Sequence, residues 1–253
     1  MGGLKMDLPK FIDIELNTSC NLSCEPCPYK EYHKKPEFMP LFLLDDILDQ
    51  IDWECSIKLC QRGEPLLSSI LIEAIKRIKK KGLRVVINTN GFYLNHMAKD
   101  LIKSELDELY LSDYNYPQQF QNGVMFSALL QMYNSPLRFT VKTNNPHQWE
   151  KIAHNTIAPV YYDHLNFTDD PTSLPDWKCD QLFERLVIEP SGRVRSCCGG
   201  VEREKYIGSV RNMTLKTIWN APLLYLFRRH HLKGESHKVA MCRRCAVRRS
   251  FIK

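Results

Sequence analysis

Three cysteines within eight residues, Cys20, Cys24 and Cys27, are the side chains best suited to chemistry. Thiols this crowded, in a chain with no export signal at its start, are metal ligands more often than disulfide partners. Three thiolates can hold three irons of a cubane iron–sulfur cluster and leave the fourth iron open to another ligand. Structural zinc wants a closed set of four ligands, and this loop supplies three. Zinc, or thiols with no shared role, remain the plainer alternatives.

The elements that must position this loop alternate along the chain. Phe11-Ile12-Asp13-Ile14-Glu15-Leu16 alternates apolar and acidic side chains and reads as a strand. Residues 30–40 are polar and Pro-bounded, an excursion that carries the loop. Helical spacing follows over residues 45–51, with Asp45 and Asp46 expected in the first turn. A strand over 56–60 runs into Arg62-Gly63-Glu64-Pro65, where Gly allows close backbone approach and Pro fixes the exit. The spacing predicts a helix over 68–82, closed by Lys79-Lys80-Lys81-Gly82. Basic residues suit its C-terminus and Gly its cap, so this run is read as structural. A strand over 83–88 ends in Thr89-Asn90-Gly91, a helix is expected over 95–104, and a strand over 108–112 ends in Ser112-Asp113. A fifth strand over 137–141 leads to Lys142, Thr143 and Asn144, and 160–167 reads as a sixth. This alternation implies a parallel α/β sheet with helices outside and chemistry at the carboxyl ends of the strands. Residues 169–175, with two prolines and no periodicity, mark the boundary between a first domain over 1–170 and a second over 171–253.

The second segment has its own cysteines: Cys179, the Cys197-Cys198 pair, and Cys242 with Cys245. Ser191-Gly192 between strand-like runs signals a β-hairpin. Cys179, Cys197, Cys242 and Cys245 make a full set of four ligands for a second cluster, with a zinc knuckle as the alternative. Cys55 and Cys60 read as small core residues, and Cys198 as packing. His230, His231 and His237 lie in a basic stretch and read as surface or phosphate-facing groups.

Taken together, these motifs resemble the radical S-adenosylmethionine (SAM) enzymes that carry a Twitch domain, the shortened form of the SPASM extension. The resemblance covers nearly the whole chain. It implies an open, partial barrel of six strand–helix units plus a small Twitch domain with a β-hairpin and helix. It also implies two [4Fe–4S] clusters, one SAM-binding on Cys20, Cys24 and Cys27, and one auxiliary. Gly63, Glu64 and Pro65 would hold the amino group of SAM, with Asn90, Ser112 and Asp113 as further SAM contacts, the last two on its ribose. The family usually has two glycines before the Glu; Arg62 takes the first place, so its side chain is expected to reach into the active site. Pro26 stands where the superfamily usually carries an aromatic, so adenine packing must differ. An electron from a donor such as flavodoxin or ferredoxin would cleave SAM, and the 5′-deoxyadenosyl radical would abstract hydrogen from the substrate. Arg62, Tyr114, Lys142 and Asn144, at or near strand ends, are the candidates for substrate contact.

Charge is the remaining signal. The 253 residues carry a net +6, but residues 1–184 hold 19 Lys and Arg against 25 Asp and Glu, whereas residues 185–253 hold 16 against 4. A solvated basic face, a dock for an acidic electron donor, or a polyanion partner each accounts for this. Arg228, Arg229, Lys233, Arg243, Arg244, Arg248 and Arg249 would supply the phosphate contacts. No run of eighteen apolar residues spans a membrane, and the cytoplasm is the default compartment. A substrate presented on DNA or RNA fits this asymmetry, with a radical rearrangement (isomerase chemistry) of a hypermodified base, such as an amino-acid-decorated thymine in viral DNA, as the leading expectation. A dehydrogenase of a small aminocyclitol or sugar-like metabolite and a peptide-modifying enzyme are the alternatives. A non-enzymatic iron–sulfur or zinc nucleic-acid-binding module is the reading outside catalysis.

Overall fold

A computed structural model describes residues 7–24, 27, 34–158, 178–197, 206–243 and 245. Period-two patterning sets its sheet. Ile12, Ile14, Ile57, Val85, Ile87, Leu109, Leu111, Phe139 and Val141 are all fully buried, while their strand neighbours Asp13, Lys58, Asn88, Tyr110, Ser112 and Lys142 take the opposite face. The strands are β1 (Phe11–Ile14), β2 (Ser56–Lys58), β3 (Arg84–Thr89), β4 (Glu108–Ser112), β5 (Arg138–Lys142), β6 (Asn155–Ile157), β7 (Arg185–Ile188), β8 (Arg193–Arg195) and β9 (Gly208–Ser209). They form one sheet in the order β6-β5-β4-β3-β2-β1-β7-β8-β9. Among the described strands the first seven pair in parallel, and β8 pairs antiparallel with both β7 and β9. This is the mostly parallel α/β sheet that the resemblance implied.

Helices α1 (Leu41–Leu48), α2 (Leu71–Lys80), α3 (Leu94–Lys103) and α4 (Pro117–Met132) cover the apolar face, and their inward residues join the strands in one core. In α2 that stripe is Leu71, Ala74, Ile75 and Ile78. Gly82, at φ +73°, ends the helix as its left-handed residue. The lysine run is structural, as read: Lys79 pairs with Asp107 at 2.7 Å and Lys81 with Asp49 at 2.6 Å.

Three elements differ from the sequence reading. Helix α1 starts four residues earlier, at Leu41 after Pro40, whose φ of −75° suits a helix start. Asp45 therefore sits in the second turn, where it pairs with Arg77 of α2. The long α4 was not foreseen, because its buried face includes Gln119, Asn122 and Gly123 beside Phe126 and Leu130 and shows no apolar stripe. The sixth parallel strand stands at Asn155–Ile157, paired with β5. The stretches 160–167 and 169–175 lie outside the described residues, as does Pro26.

Helices α5 (Pro146–Trp149), α6 (Gln181–Glu184), α7 (Leu215–Trp219), α8 (Pro222–Leu232) and α9 (Ala240–Arg243) complete the chain's described helices, with short 3-10 turns at Pro65–Leu67 and Ser236–Lys238. The hairpin read from Ser191-Gly192 is β7–β8, and β7 extends the barrel sheet beside β1, in register from Phe11↔Arg185 to Ile14↔Ile188. Gly192, at φ +88°, makes the turn. Leu215, Ile218, Trp219 and Leu224 enter the same core as the barrel strands. The Trp219 indole donates to the Asp7 carbonyl at 2.7 Å, and Leu215 N donates to Gln50 Oε1 at 2.8 Å. The second segment is thus welded to the strand N-termini of the first. Among the described residues, no helix is long and apolar enough to cross a membrane.

Candidate cluster and SAM site

The cysteine loop leaves the sheet just after β1. Its neck is closed by an antiparallel bridge: Met39 N donates to Leu16 O at 2.8 Å, Thr18 N to Glu37 O at 3.0 Å, and Glu37 N to Thr18 Oγ1 at 2.9 Å. Two short stretches thereby fix both ends of a loop that would otherwise wander. Within it, Cys27 N donates to Cys24 O at 3.0 Å and Leu22 N lies 3.5 Å from Cys20 Sγ. Cys20, Cys24 and Cys27 are each half-buried. Burial pushes the Cys20 thiol up to about 11, and Glu64, Cys24 and Cys27 push in the same direction. The three sulfurs and Glu64 therefore share one electrostatic neighbourhood. Such a set ionises when a cation displaces its protons, which is the donor chemistry an iron–sulfur cluster uses.

Against this neck lies the Arg62-Gly63-Glu64 turn. Glu64 N donates to Ser19 O at 2.7 Å, and Asn17 Nδ2 to Glu64 O at 3.2 Å. A Cβ on Gly63 would sit 2.8 Å from Asn17 Oδ1 and Ser19 O, and closer still to the Asn17 carbonyl oxygen. Only glycine permits that approach. Pro65 opens the 3-10 turn that follows.

Glu64 is 3% exposed and ties three segments together. Its Oε1 accepts from Leu66 N at 3.0 Å and from Thr89 Oγ1 at 2.6 Å, and its Oε2 from Asn90 N at 2.8 Å. Burial raises the carboxyl to about 7, and the donors from Asn90, Thr89 and Leu66 hold it from rising further. Asn90 faces the cysteine loop: its Nδ2 donates to Asn21 Oδ1 at 2.8 Å and lies 3.9 Å from Cys20 Sγ. Gly91, at φ +76°, turns the chain behind it.

Ser112 and Tyr114 close another side. Ser112 Oγ accepts from Asn88 Nδ2 at 3.2 Å, and Ser112 is near enough to the Tyr114 hydroxyl to ease its ionisation. Burial first, then Cys24 and Cys20, push that hydroxyl up to about 12. Tyr114 thus belongs to the same neighbourhood as the three thiols. Lys142 Nζ lies 5.0 Å from the centre of the Tyr110 ring, on the polar face of the sheet, and Asn144 is exposed in the turn after β5.

Some expected residues take other posts. Asp113 stands at the end of β4 as read, but Thr143 Oγ1, Trp149 Nε1 and Asn115 N donate to its carboxylate at 2.8, 2.9 and 2.8 Å. Arg62, read as reaching into the active site, has its side chain inside an ion network. It is 5% exposed and is held between Glu15 and Glu189. Cys55 joins the core, but Cys60 lies on the polar face, close enough to Lys58, Asp13 and Lys142 to feel their charge.

Sequence reasoning missed Gln119 and Asn122, both buried on α4. Gln119 donates to Asn90 O and to Ser112 O, the latter at 3.1 Å, and accepts from Tyr114 N at 2.9 Å. Asn122 donates to Gly91 O at 2.9 Å and Phe92 O at 3.0 Å. Together they hold the ends of β3 and β4 where the site is built. The signal was available: polar residues three apart on a helix, just after two strand-end motifs.

The second cysteine set is assembled from three segments. Cys179 N donates to His231 Nδ1 at 3.1 Å, Ser196 Oγ lies 3.7 Å from Met241 Sδ, and Cys245 N donates to Cys242 O at 3.2 Å. The neighbours of Cys197 and Cys242 are thus in contact, and Cys179 is seated on α8. His231, 2% exposed, is a buried acceptor rather than a surface group. Arg228 is likewise no phosphate ligand. It is 3% exposed, donates to Leu182 O and Trp219 O at 2.8 and 2.7 Å, and stacks 3.9 Å from the Trp219 ring. Cys198, Arg244, Arg248 and Arg249 lie outside the described residues. Among the described residues, no three His, Cys, Asp or Glu side chains converge on a point that one ion would occupy.

Residues 14–112 match the model of the radical SAM superfamily, and residues 179–246 match that of the SPASM iron–sulfur cluster-binding domain. Each segment thus matches an iron–sulfur family model of its own, the first that of the radical SAM superfamily. The first match spans the cysteine loop, the Gly63-Glu64-Pro65 turn and the β3 and β4 ends; the second spans Cys179, Cys197, Cys242 and Cys245. A radical SAM domain implies a [4Fe–4S] cluster and SAM, and the SPASM domain implies auxiliary iron–sulfur binding. The residues described here fit both.

Among curated proteins, the chain is similar to the tungsten-containing aldehyde ferredoxin oxidoreductase cofactor-modifying protein of Pyrococcus furiosus, with 29% identity over 107 residues, covering 41% of this chain and 30% of that protein. It is also similar to the GTP 3′,8-cyclase of Lactiplantibacillus plantarum, with 31% identity over 120 residues, 42% of this chain and 33% of the cyclase. These matches span about a third of each relative's length. Among solved structures, BtrN in complex with AdoMet and 2-DOIA superposes with a TM-score of 0.71 at 18% identity, covering 95% of this chain and 94% of BtrN. Native anSMEcpe with bound AdoMet gives 0.59 at 17% identity, covering 93% and 88%. These likenesses concern the fold.

Proposed function

We propose that the chain reductively cleaves SAM and directs the resulting radical at a substrate held over the polar face of the barrel. The observation that carries this reading is the position of Asn90. Its backbone N–H holds Glu64, while its side chain reaches the loop of Cys20. An acidic group that accepts an ammonium and a three-thiol loop are thereby fixed within a few bonds of each other. Cys20, Cys24 and Cys27 would hold the SAM cluster, Glu64 would bind the amino group of SAM, and Ser112 and Asn90 would make polar contacts to it. Cys179, Cys197, Cys242 and Cys245 would hold the auxiliary cluster, within a second domain over 171–253. A reduced cluster held there would supply the electron that splits SAM into methionine and a 5′-deoxyadenosyl radical, and that radical would take hydrogen from the substrate. The protein's part is positioning and exclusion of water: Tyr114, Lys142 and Asn144 would contact the substrate, and a low-potential donor such as flavodoxin or ferredoxin would reduce the clusters.

For the substrate we retain the DNA-borne, hypermodified base and a redox-neutral rearrangement. The support is the charge of residues 185–253, 16 Lys and Arg against 4 Asp and Glu. Part of that charge is spent inside the fold, on Asp13, on Glu189 and on backbone carbonyls. A second reading, oxidation of a small polyol-like metabolite, is favoured by the chain-length likeness to BtrN. Deuterium-labelled candidates separate the two. The first predicts deuterium transfer into 5′-deoxyadenosine from the base only when DNA carries it, with Arg248→Gln/Arg249→Gln lowering the log–log salt slope of duplex binding by roughly 0.9 per lost phosphate contact. Transfer from a free polyol, with none from DNA, would overturn it.

A further inference from the structure

The SAM turn and the second cysteine set are joined by a buried ion network. Its inner members are Glu15 after β1, Arg62, Glu189 in the β7–β8 turn, and Arg195 of β8, all with side chains 1–3% exposed. Glu15 Oε1 accepts from Arg62 N at 2.7 Å and Gly63 N at 3.2 Å, while Oε2 accepts from Arg62 Nε at 2.8 Å and pairs with Nη2. On its other side, Arg62 Nη1 lies 3.1 Å from Glu189 Oε1, and Arg195 Nε lies 3.1 Å from that same oxygen. Arg193 Nη2 and the Tyr206 hydroxyl complete Glu189 at 3.1 and 3.2 Å. The inner set balances two carboxylates against two guanidinium groups.

A buried network of this kind is a poor source of stability, since apolar side chains of equal volume serve as well. It does supply geometry, because a guanidinium fork fixes its carboxylates in both distance and angle. One end of this network is the backbone of Arg62 and Gly63, just before Glu64; the other is Arg195, two residues before Cys197. That gives a reason for an arginine where a first glycine is usual.

We propose that Arg62 is a positioning residue that couples the SAM turn to the auxiliary-cluster strand, so that a change at Arg62 is felt at both sites. This rests on the proposed function, in that the two sites are taken to hold the SAM and auxiliary clusters. The test uses Arg62→Gln/Glu189→Gln, which removes one charge of each sign and leaves Glu15 with Arg195. Placed in a chain whose Cys20, Cys24 and Cys27 are all alanine, the pair is read by iron content, melting temperature and the electron paramagnetic resonance spectrum of the reduced auxiliary cluster. In the otherwise intact, anaerobically reconstituted protein it is read by the apparent KM for SAM. Expected are parental iron content and melting temperature, shifted g-values, and a KM raised at least fivefold. Arg62→Lys, which keeps the charge and loses the fork, shifts both readouts in the same direction, and it decides the matter if the pair fails to fold. A spectrum superimposable on the parent's, or an unchanged KM, overturns the coupling. Wild-type protein that does not cleave SAM would sink the proposed function alone, because the auxiliary-cluster spectrum still reports on Arg62.

Discussion

Replacing Gly63 by alanine puts one methyl group into a space that does not exist. Its carbon would lie 2.8 Å from Asn17 Oδ1 and from Ser19 O, and closer to Asn17 O, all of them held in place. Asn17 Oδ1 accepts from Ser19 Oγ at 2.7 Å, and Ser19 O accepts from Glu64 N at 2.7 Å. The backbone therefore has to move, and the bonds from Glu64 N to Ser19 O and from Asn17 Nδ2 to Glu64 O stretch or break. Overpacking costs about 1–3 kcal/mol, and each hydrogen bond about 1 kcal/mol net. The sum, about 3–5 kcal/mol, falls on the turn that positions Glu64. If half of it is expressed in SAM binding, affinity drops on the order of tenfold to a hundredfold. Equilibrium binding of SAM to the anaerobically reconstituted protein reads this directly, with melting temperature measured alongside. An affinity within twofold of wild type, in a chain that still melts cooperatively, would refute the reasoning that this turn is the SAM contact.

Four further outcomes are expected. Because burial raises Glu64 to about 7, its ionised share grows about fivefold between pH 6 and pH 7, and SAM affinity grows in step; Glu64→Gln flattens that profile. The same raised carboxyl makes the SAM-free fold lose stability as pH rises from the usual glutamate range through about 7, on the order of 3 kcal/mol, and melting curves of Glu64→Gln should lack that loss. Arg228→Gln, which removes the stacking on Trp219 and at least one of two charge-assisted bonds, should cost about 3–5 kcal/mol by denaturant titration and leave the salt slope of DNA binding unchanged. Asn122→Ala strips the donors from Gly91 O and Phe92 O; it should lower stability by about 2–4 kcal/mol and raise the KM for SAM, whereas an unchanged KM would place α4 outside the site's support.

Much of the site was legible because its residues are of types that chemistry restricts. Thiols at fixed spacing, a glycine before a glutamate at a strand end, and Thr89-Asn90-Gly91 do not depend on distant packing for their meaning. The strands were legible for a similar reason, since Ile12, Ile14 and Ile57 have polar neighbours and Val85-Val86-Ile87 is a short apolar run. What failed depended on partners far along the chain. The ion network of Arg62 is invisible until Glu189, 127 positions later, is seen beside it. Arg228 looks like one of a basic run, yet Trp219 and the Leu182 carbonyl bury it. Helix α4 was missed because its buried face is partly amide, chosen to bond strand-end carbonyls rather than to fill a core. That β7 pairs with β1 was equally out of reach, since parallel partners are set by topology and not by local pattern.

The central claim is that Cys20, Cys24 and Cys27 with Glu64 form a site that cleaves SAM. The most direct measurement is 5′-deoxyadenosine formation by the anaerobically reconstituted protein with SAM and dithionite, run beside a variant carrying alanine at all three cysteines. The account predicts product from the wild type. From the variant it predicts no product, with about half the iron retained on Cys179, Cys197, Cys242 and Cys245. Cleavage retained by the triple variant, or a wild type that binds iron at the three-cysteine loop and leaves SAM intact, would contradict it.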